Sequence, residues 1–215
     1  RSEATLSEKD GAAVWLGTYP AGAPQGIDPL QALRISASHL KSPVIDGLPP
    51  LTGGLVGYMG YDTVRRLEKI GNTSVKDLPL PELAFMLTSD LAVMDHSDGT
   101  VTLIANAINW DASDNRIDEA YAECVARLDR MQQELNAPLD GFVSELEVRT
   151  LPDFDSNTTE EKYRQSVKEI KEEILAGEAF QVVLSQRFSV DVKAQPIDVY
   201  RMLRLHNPSP YMYLF

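Results

Sequence analysis

The sequence has little of three features that would define a class of protein: cysteine, positive charge and long apolar segments. Cys124 is the only cysteine among 215 residues, so an internal disulfide is excluded and a cytoplasmic location is expected. Twenty Lys and Arg stand against 32 Asp and Glu, and the resulting net charge of -12 repels a phosphate backbone. No apolar run approaches the roughly 20 residues that span a bilayer. We therefore expect neither a nucleic acid nor a membrane as a partner.

The spacings of metal ligands are missing as well. His39, His96 and His206 lie far from one another and from Cys124 along the chain, and no metal-binding motif results. Cys124 falls within a helical apolar pattern, which favours a buried structural thiol over a reactive one.

The two ends of the sequence suggest a piece of a longer polypeptide. The start, Arg1-Ser-Glu-Ala, contains neither an initiator Met nor the apolar segment of a signal peptide. The end, Tyr211 to Phe215, is an unbroken apolar or aromatic run, which at a true terminus would be an aggregation-prone edge. We expect an internal fragment whose last residues form a buried strand.

Up to residue 140 the chain alternates strands and helices. The pattern predicts a strand at 13–19, a helix after the cap Asp28 and Pro29, a loop at 43–50, a glycine-rich strand at 51–62 and a helix at 63–70. A hairpin is predicted from 83–95 and 100–108 around His96-Ser-Asp-Gly99, and a helix at 117–135. Residues 141–157 combine Pro, Gly and acidic residues and are predicted to form a linker.

Glycines 53, 54, 57 and 60 suggest a nucleotide-binding loop, but their spacing does not fit one. A dinucleotide site needs G-x-G-x-x-G, and a phosphate loop needs Lys followed by Ser or Thr; the segment has neither. Glycine inside a strand more often marks a bulge or the close approach of another backbone.

The last third of the chain carries the clearest signals. Thr158-Thr-Glu-Glu161 fits a capping box, and Gly177 fits the end of the helix that follows. A strand is predicted from Phe180 to Phe188, with Gln181 on its polar face. That face could line a cavity or simply face solvent. A short helix from Pro196 to Leu205 then ends at Asn207-Pro-Ser-Pro210, because residues before Pro avoid helical geometry.

Four segments together resemble a known family. They are Gly53 to Asp62, Leu80 to Leu83, Ala176 to Phe188 and Asn207 to Met212. In these segments the chain resembles the large, chorismate-binding subunit of anthranilate synthase, component I. The related aminodeoxychorismate synthase component I of the folate pathway shares much of the pattern and remains an alternative.

The resemblance implies a fold and an activity. The fold would be α+β, an α/β sandwich of mainly antiparallel sheets with outer helices, seen here in part. Residues 1–140 would belong to its N-terminal or regulatory half, and 158–215 would begin the chorismate-binding region. The activity would be that of a lyase in tryptophan biosynthesis, forming anthranilate and pyruvate from chorismate and ammonia. A glutamine amidotransferase subunit, component II, would supply the ammonia, and L-tryptophan would inhibit the enzyme.

The resemblance also implies roles for particular residues. Gln181 matches the position where relatives that add water carry a Lys, so a neutral amide there would position ammonia. Pro210, Tyr211 and Met212 match the segment that contacts the inhibitor L-tryptophan, and three residues shape the same turn: Asn207, Pro208 and Ser209. The alternative is that this segment only joins a helix to a core strand.

Some parts of the family pattern have no match in the chain. The Leu-Leu-Glu-Ser element of the tryptophan pocket, the glutamates that bind Mg²⁺ and the catalytic His are all absent. We therefore expect Mg²⁺ in the complete enzyme but no metal ligand in this chain, and no chorismate turnover by the chain alone. A non-catalytic module that binds the inhibitor or docks a subunit is the second hypothesis.

Overall fold

The computed structural model describes residues 2–71, 74–76, 78–138 and 153–215. The chain divides into two compact units, unit 1 from Arg1 to Asp140 and unit 2 from Gly141 to Phe215. The paired strands are antiparallel and alternate with helices, so the predicted mixture of helices and antiparallel sheets is confirmed. Among the described helices, none has both the length and the apolarity needed to cross a bilayer.

A four-stranded sheet forms the centre of unit 1. Its strands are β1 (Ser2–Lys9), β2 (Ala12–Gly17), β3 (Gly54–Met59) and β4 (Leu83–Thr88), in the order β2-β1-β4-β3. β2 and β3 confirm the strands predicted at 13–19 and 51–62. β1 lies between β2 and β4, yet the sequence patterns predicted no strand before residue 13.

Helix α1 (Pro29–His39) begins as its sequence predicts. The Asp28 side chain accepts a hydrogen bond from the Gln31 N–H at 2.9 Å, which satisfies one of the unpaired donors of the first turn. Its buried face packs against β1 and β2. The core of unit 1 consists of Ala4, Leu6, Ala13, Trp15, Ala23, Ala32, Leu83 and Leu87.

Gly57 lies where β3 and β4 approach each other too closely for a side chain. A Cβ atom at this position would lie 1.9 Å from the backbone oxygen of Ala84 and 2.7 Å from the Cα of Phe85. The close approach of another backbone, predicted for this glycine-rich strand, is confirmed.

After β3 the chain forms a 3₁₀ helix (Tyr61–Arg66) instead of the predicted helix at 63–70. The Thr63 N–H donates to the Gly60 oxygen and the Leu67 N–H to the Val64 oxygen, both with the i to i+3 spacing of this tighter helix. The Arg65 side chain donates hydrogen bonds to the Gly71 oxygen and to the Ser74 hydroxyl. These bonds connect Gly71 and Ser74 to the 3₁₀ helix.

The hairpin predicted at 83–108 is only partly correct. β5 (Asp90–Asp95) and β6 (Thr100–Ala105) pair around the predicted turn, but β4 pairs with β1 and β3 in the other sheet. The single predicted strand 83–95 therefore changes sheets at Ser89. Side-chain periodicity gives no sign of this change, because both halves are apolar and β-prone.

Helix α2 (Ile117–Asn136) confirms the helix predicted at 117–135 and packs against β6. Its buried residue is Cys124, 8% exposed, as expected of a structural thiol. The apolar residues that recur along this helix with helical spacing are less buried than Cys124. Leu128 is half-buried, and four others are exposed: Ile117, Tyr121, Val125 and Leu135.

In unit 2, helix α3 (Glu160–Leu175) begins one residue later than the capping box predicts. The Thr159 hydroxyl, not that of Thr158, accepts a hydrogen bond from the Lys162 N–H, at 3.3 Å. At the other end Gly177 has φ +86°, and the N–H groups of Gly177 and Glu178 donate to the oxygens of Ile174 and Glu173. The predicted glycine cap is thus confirmed.

The predicted strand from Phe180 to Phe188 is wrong over most of its length. The only paired residues of the segment lie at its end, where β8 (Phe188–Ser189) joins β7 (Asp155–Ser156). The strand predicted at 211–215 is likewise absent from the structure. A strand requires a partner for its backbone N–H and C=O groups, and neither segment has a partner strand within the described part of unit 2.

The predicted linker lies at the boundary between the units. Residues 141–152 fall outside the described residues, while Asp155-Ser156 belong to the β7–β8 pair of unit 2. The assignment of 1–140 and 158–215 to regulatory and substrate-binding parts stays a prediction.

Candidate functional site

The residues predicted to contact an inhibitor follow helix α4 (Pro196–His206) directly. Pro196 opens α4 and Asn207 ends it, its N–H donating to the Leu203 oxygen at 2.8 Å. Pro208 and Pro210 have no N–H to donate, so the helix cannot continue through them. The short helix and the break that the sequence predicts here are confirmed.

The loop after α4 exposes aromatic surface. Tyr211 is 78% exposed and Met212 is half-buried. The rings of Tyr213 and Phe215 stack with their centroids 5.6 Å apart and their planes 8° from parallel. Flat apolar side chains beside two rigid prolines could hold an aromatic ligand by stacking.

Gln181 lies in the irregular segment between α3 and β8, and it is exposed. An exposed amide has both donors and an acceptor available to a small polar ligand. Within the described residues, no hydrogen bond joins Gln181 to the loop 207–212. The structure therefore unites Asn207 to Met212 on one loop but does not bring Gln181 to it.

Gln186 has a structural role that the sequence pattern did not reveal. On the predicted strand it only interrupts an apolar face. In the structure its amide nitrogen donates to the Ser156 hydroxyl at 2.8 Å and to the Thr158 oxygen at 3.3 Å. The neighbouring Arg187 N–H donates to the Asn157 carbonyl oxygen Oδ1 at 2.9 Å. These bonds fix the segment that carries Gln181 to the residues just before α3.

Two open cavities lie in unit 1 rather than near these residues. One, of about 440 Å³, is bounded by β1, β2, Lys76 and residues 79–81. The other, of about 320 Å³, lies between β5 and α2. Neither is lined by Gln181 or by the loop 207–212. The two cavities therefore do not indicate where the chemistry implied by the family resemblance would take place.

A cluster of charged side chains in unit 1 surrounds Arg66. Its guanidinium donates to both carboxylate oxygens of Glu82, at 2.6 and 2.7 Å, and to the Asp28 carboxylate at 2.5 Å. The bonds to Glu82, followed by those to Asp28, raise the pKa of Arg66. Burial acts to raise the pKa of Asp28, but the bonds from Gln31 and Arg66 outweigh it and the pKa is lowered. Through these bonds Arg66 connects the 3₁₀ helix to the start of α1 and to Glu82.

A second polar cluster joins the two sheets of unit 1 to α2. The Asn106 amide nitrogen donates to the oxygens of Thr52 and Ser89, at 2.7 and 2.9 Å. Its backbone oxygen accepts a bond from Arg127 at 2.8 Å, and Arg127 forms an ion pair with Asp90 at 2.9 Å. The cluster lies where the chain passes from β4 to β5, which indicates a structural role.

The described residues contain no group of three or more His, Cys, Asp or Glu side chains close enough to hold a metal. No step of a reaction is therefore assigned to a metal bound by these residues.

The profile of the family described as chorismate binding enzyme matches residues 14–215. The match covers most of unit 1 and all of unit 2, including every predicted site residue. The chain belongs to the chorismate binding enzyme family.

Two relatives match almost the whole chain. The chain is 52% identical over 209 residues to "Anthranilate synthase component 1" of Mycolicibacterium smegmatis, covering 97% of this chain and 40% of that protein. It is 48% identical over 219 residues to the protein of the same name from Arthrobacter globiformis, covering 100% and 41%. It thus spans about two fifths of the length of these relatives.

A solved structure supports the same comparison. It is the crystal structure of anthranilate synthase component I from Streptococcus pneumoniae TIGR4, with a TM-score of 0.76 and 26% identity. The match covers 99% of this chain and 45% of that one. The fold of the chain is therefore that of part of a chorismate-binding enzyme.

Proposed function

We propose that the protein acts as the large subunit of an anthranilate synthase, a lyase that forms anthranilate and pyruvate from chorismate and ammonia. One observation carries the proposal: identity of about half the residues to proteins of that name over nearly the whole chain. The folate-pathway alternative is not favoured, because the relatives described above bear the anthranilate synthase name. Chorismate turnover is assigned to the complete protein and not to residues 1–215 alone.

The proposal includes a second subunit. The relatives are named component 1, which denotes one of at least two components. We assign the partner the role of a glutamine amidotransferase that supplies ammonia. Cys124 is the single cysteine of this chain and is buried, so the chain has no accessible thiol with which to attack glutamine.

Genetic complementation tests the proposed function. The complete coding sequence is expected to restore growth without tryptophan to a strain that lacks the large subunit of anthranilate synthase. An empty vector is the control. Rescue of a strain defective in aminodeoxychorismate synthase, without rescue of the tryptophan auxotroph, would support the folate-pathway alternative instead.

We assign inhibition by L-tryptophan to the loop 207–212. Met212→Thr and Pro210→Ser are each expected to raise the tryptophan concentration for half-inhibition about tenfold, equivalent to ~1.4 kcal/mol of lost contact. Chorismate turnover should change much less, because the loop binds the inhibitor and not the reacting atoms. Inhibition curves and steady-state kinetics on the complete enzyme measure the two effects separately.

Arg201→Ala on α4 is the control, since Arg201 is exposed and forms an ion pair with Asp198 one turn away. It should leave inhibition unchanged. An equal loss of inhibition and turnover in Met212→Thr would point to a purely structural role for the loop.

A further inference from the structure

The stretch of chain that carries Gln181, residues 179–187, belongs to no helix or strand. Its two ends are nevertheless fixed within unit 2. At the first end, the N–H groups of Gly177 and Glu178 donate to carbonyl oxygens in the last turn of α3. At the second end, β8 pairs with β7, which lies just before the start of α3. The position of Gln181 therefore depends on how these two ends are held.

The two fixed ends lie at opposite ends of α3. The helix has 16 residues and is about 24 Å long at 1.5 Å per residue. From Glu178 to Arg187 the chain advances nine residues, and a fully extended chain of that length reaches at most about 32 Å. The segment must therefore run back along α3 in a largely extended form with little slack. A shift at either end moves Gln181 with it.

The side chain of Gln186 supplies two of the bonds at the second end. Its amide nitrogen is the donor in both, to the Ser156 hydroxyl and to the Thr158 backbone oxygen. These two acceptors are themselves joined, because the Ser156 hydroxyl donates to the Thr158 oxygen at 2.7 Å. Gln186 is half-buried, so its bonds are partly shielded from competition by water.

The backbone pairing at this end is short. β7 and β8 contribute two residues each, whereas strands in globular proteins usually have about 3–10. One further residue pair continues it, since the Asn157 N–H donates to the Arg187 oxygen at 3.1 Å. Gln186 extends the fixed region one residue further towards Gln181. It is the hydrogen-bonded side chain that lies nearest to Gln181 along the chain at this end.

We propose that Gln186 is a positioning residue for the ammonia-adding step. By holding the second end of the segment, it keeps the Gln181 amide at the place where ammonia must be oriented. Gln186 acts through Gln181 and does not itself contact ammonia or chorismate. This inference rests on the proposed function, in which Gln181 orients ammonia.

The test measures how the complete enzyme uses ammonia when the Gln186 bonds are removed. Gln186→Met keeps a side chain of similar length but has no donor. It is expected to lower kcat/KM for ammonia about tenfold, which corresponds to ~1.4 kcal/mol, because a small displacement of a positioning group is costly. KM for chorismate at saturating ammonia should change less than about twofold, since the substitution acts on the nucleophile.

Ser156→Ala provides a second variant in case Gln186→Met folds poorly. It removes one of the two acceptors and leaves the Thr158 oxygen in place, so kcat/KM for ammonia should fall about threefold, as expected for one neutral hydrogen bond.

A double-mutant cycle separates positioning from a general loss of structure. Once Gln181→Ala has removed the amide that orients ammonia, Gln186 has nothing left to position. Adding Gln186→Met to Gln181→Ala should therefore cause no further loss of kcat/KM for ammonia. Two independent effects would add instead.

Gln165→Met on α3 is the matched control. Gln165 is exposed, and its amide nitrogen donates to the Glu169 carboxylate at 3.0 Å, so the substitution removes an amide hydrogen bond from the same unit. It should leave kcat/KM for ammonia and KM for chorismate unchanged. Thermal unfolding followed by circular dichroism compares the stability of all variants.

Three results would overturn the inference. Unchanged use of ammonia in both Gln186→Met and Ser156→Ala would show that other parts of the protein hold the segment. Additive losses in the cycle, or a rise in KM for chorismate as large as that for ammonia, would leave Gln186 a purely structural role. Wild-type use of ammonia in Gln181→Ala would remove the residue through which Gln186 acts. If the wild type makes no anthranilate from ammonia, it is the proposed function that fails.

Discussion

Gln181→Lys in the complete enzyme is expected to lower ammonia-dependent anthranilate formation by about a hundredfold, the size of effect that misplacing a reactant can produce. A neutral amide can orient ammonia by accepting and donating hydrogen bonds. A Lys at the same position repels ammonium and favours the activation of water. The KM for chorismate should change little, because the substitution acts on the nucleophile.

Product analysis makes this test sharper. The Lys variant is expected to divert some chorismate to a hydroxylated product, detectable by chromatography with mass detection. Gln165→Lys is the control, since it makes the same substitution, with the same change of charge, at an exposed position of α3. Wild-type activity with ammonia in Gln181→Lys would contradict the role assigned to Gln181.

Gly57→Ala is expected to lower the free energy of unfolding of unit 1 by about 3 kcal/mol, the upper range for inserting a methyl group where no space exists. The new Cβ would lie 1.9 Å from the Ala84 oxygen. That oxygen belongs to the backbone of β4, which cannot rotate away as a side chain could, so β3 and β4 must separate. Denaturant unfolding followed by circular dichroism measures the loss.

Gly47→Ala is the control that separates two causes of destabilisation: the lack of space for a Cβ atom and the strain of a positive φ. Gly47 has φ +84°, and a Cβ there would meet nothing within 4 Å. Its replacement should cost about 1 kcal/mol, from the backbone conformation alone. Equal losses in the two variants would mean that β3 and β4 are not as close as described.

The helices could be predicted from the sequence because their signals are local. Asp28 and Pro29 specify the start of α1, and Gly177 specifies the end of α3, through bonds that span only a few residues. The start of α3 shows the limit of such signals. Thr158 and Thr159 are equally good caps by residue type, and the backbone geometry selects Thr159.

The strands were harder to predict because their partners are distant in sequence. β1 was missed although Asp10 and Gly11, with φ of +52° and +82°, form the turn that leads from it to β2. Asp-Gly is a strong hairpin signal, and it was available in the sequence. The change of sheet at Ser89 has no such signal, since it depends on Asn106 contacting Thr52 and Ser89 from other parts of the chain.

In the candidate site, too, local features could be predicted from the sequence and contacts between distant residues could not. The turn at Asn207 to Pro210 follows from two prolines and was predicted, whereas the bonds that hold Gln186 to Ser156 connect residues 30 positions apart. No pattern of residues in the sequence predicts such a bond. The roles of Gln181 and of Pro210 to Met212 rest on family resemblance, because the chemistry of an amide or a methionine does not by itself identify its ligand.

The most direct test of the proposed function is the product that the complete protein forms from chorismate and ammonium with Mg²⁺ present. We expect anthranilate, identified by its fluorescence and mass, together with one equivalent of pyruvate. Aminodeoxychorismate without release of pyruvate, or unreacted chorismate, would contradict it.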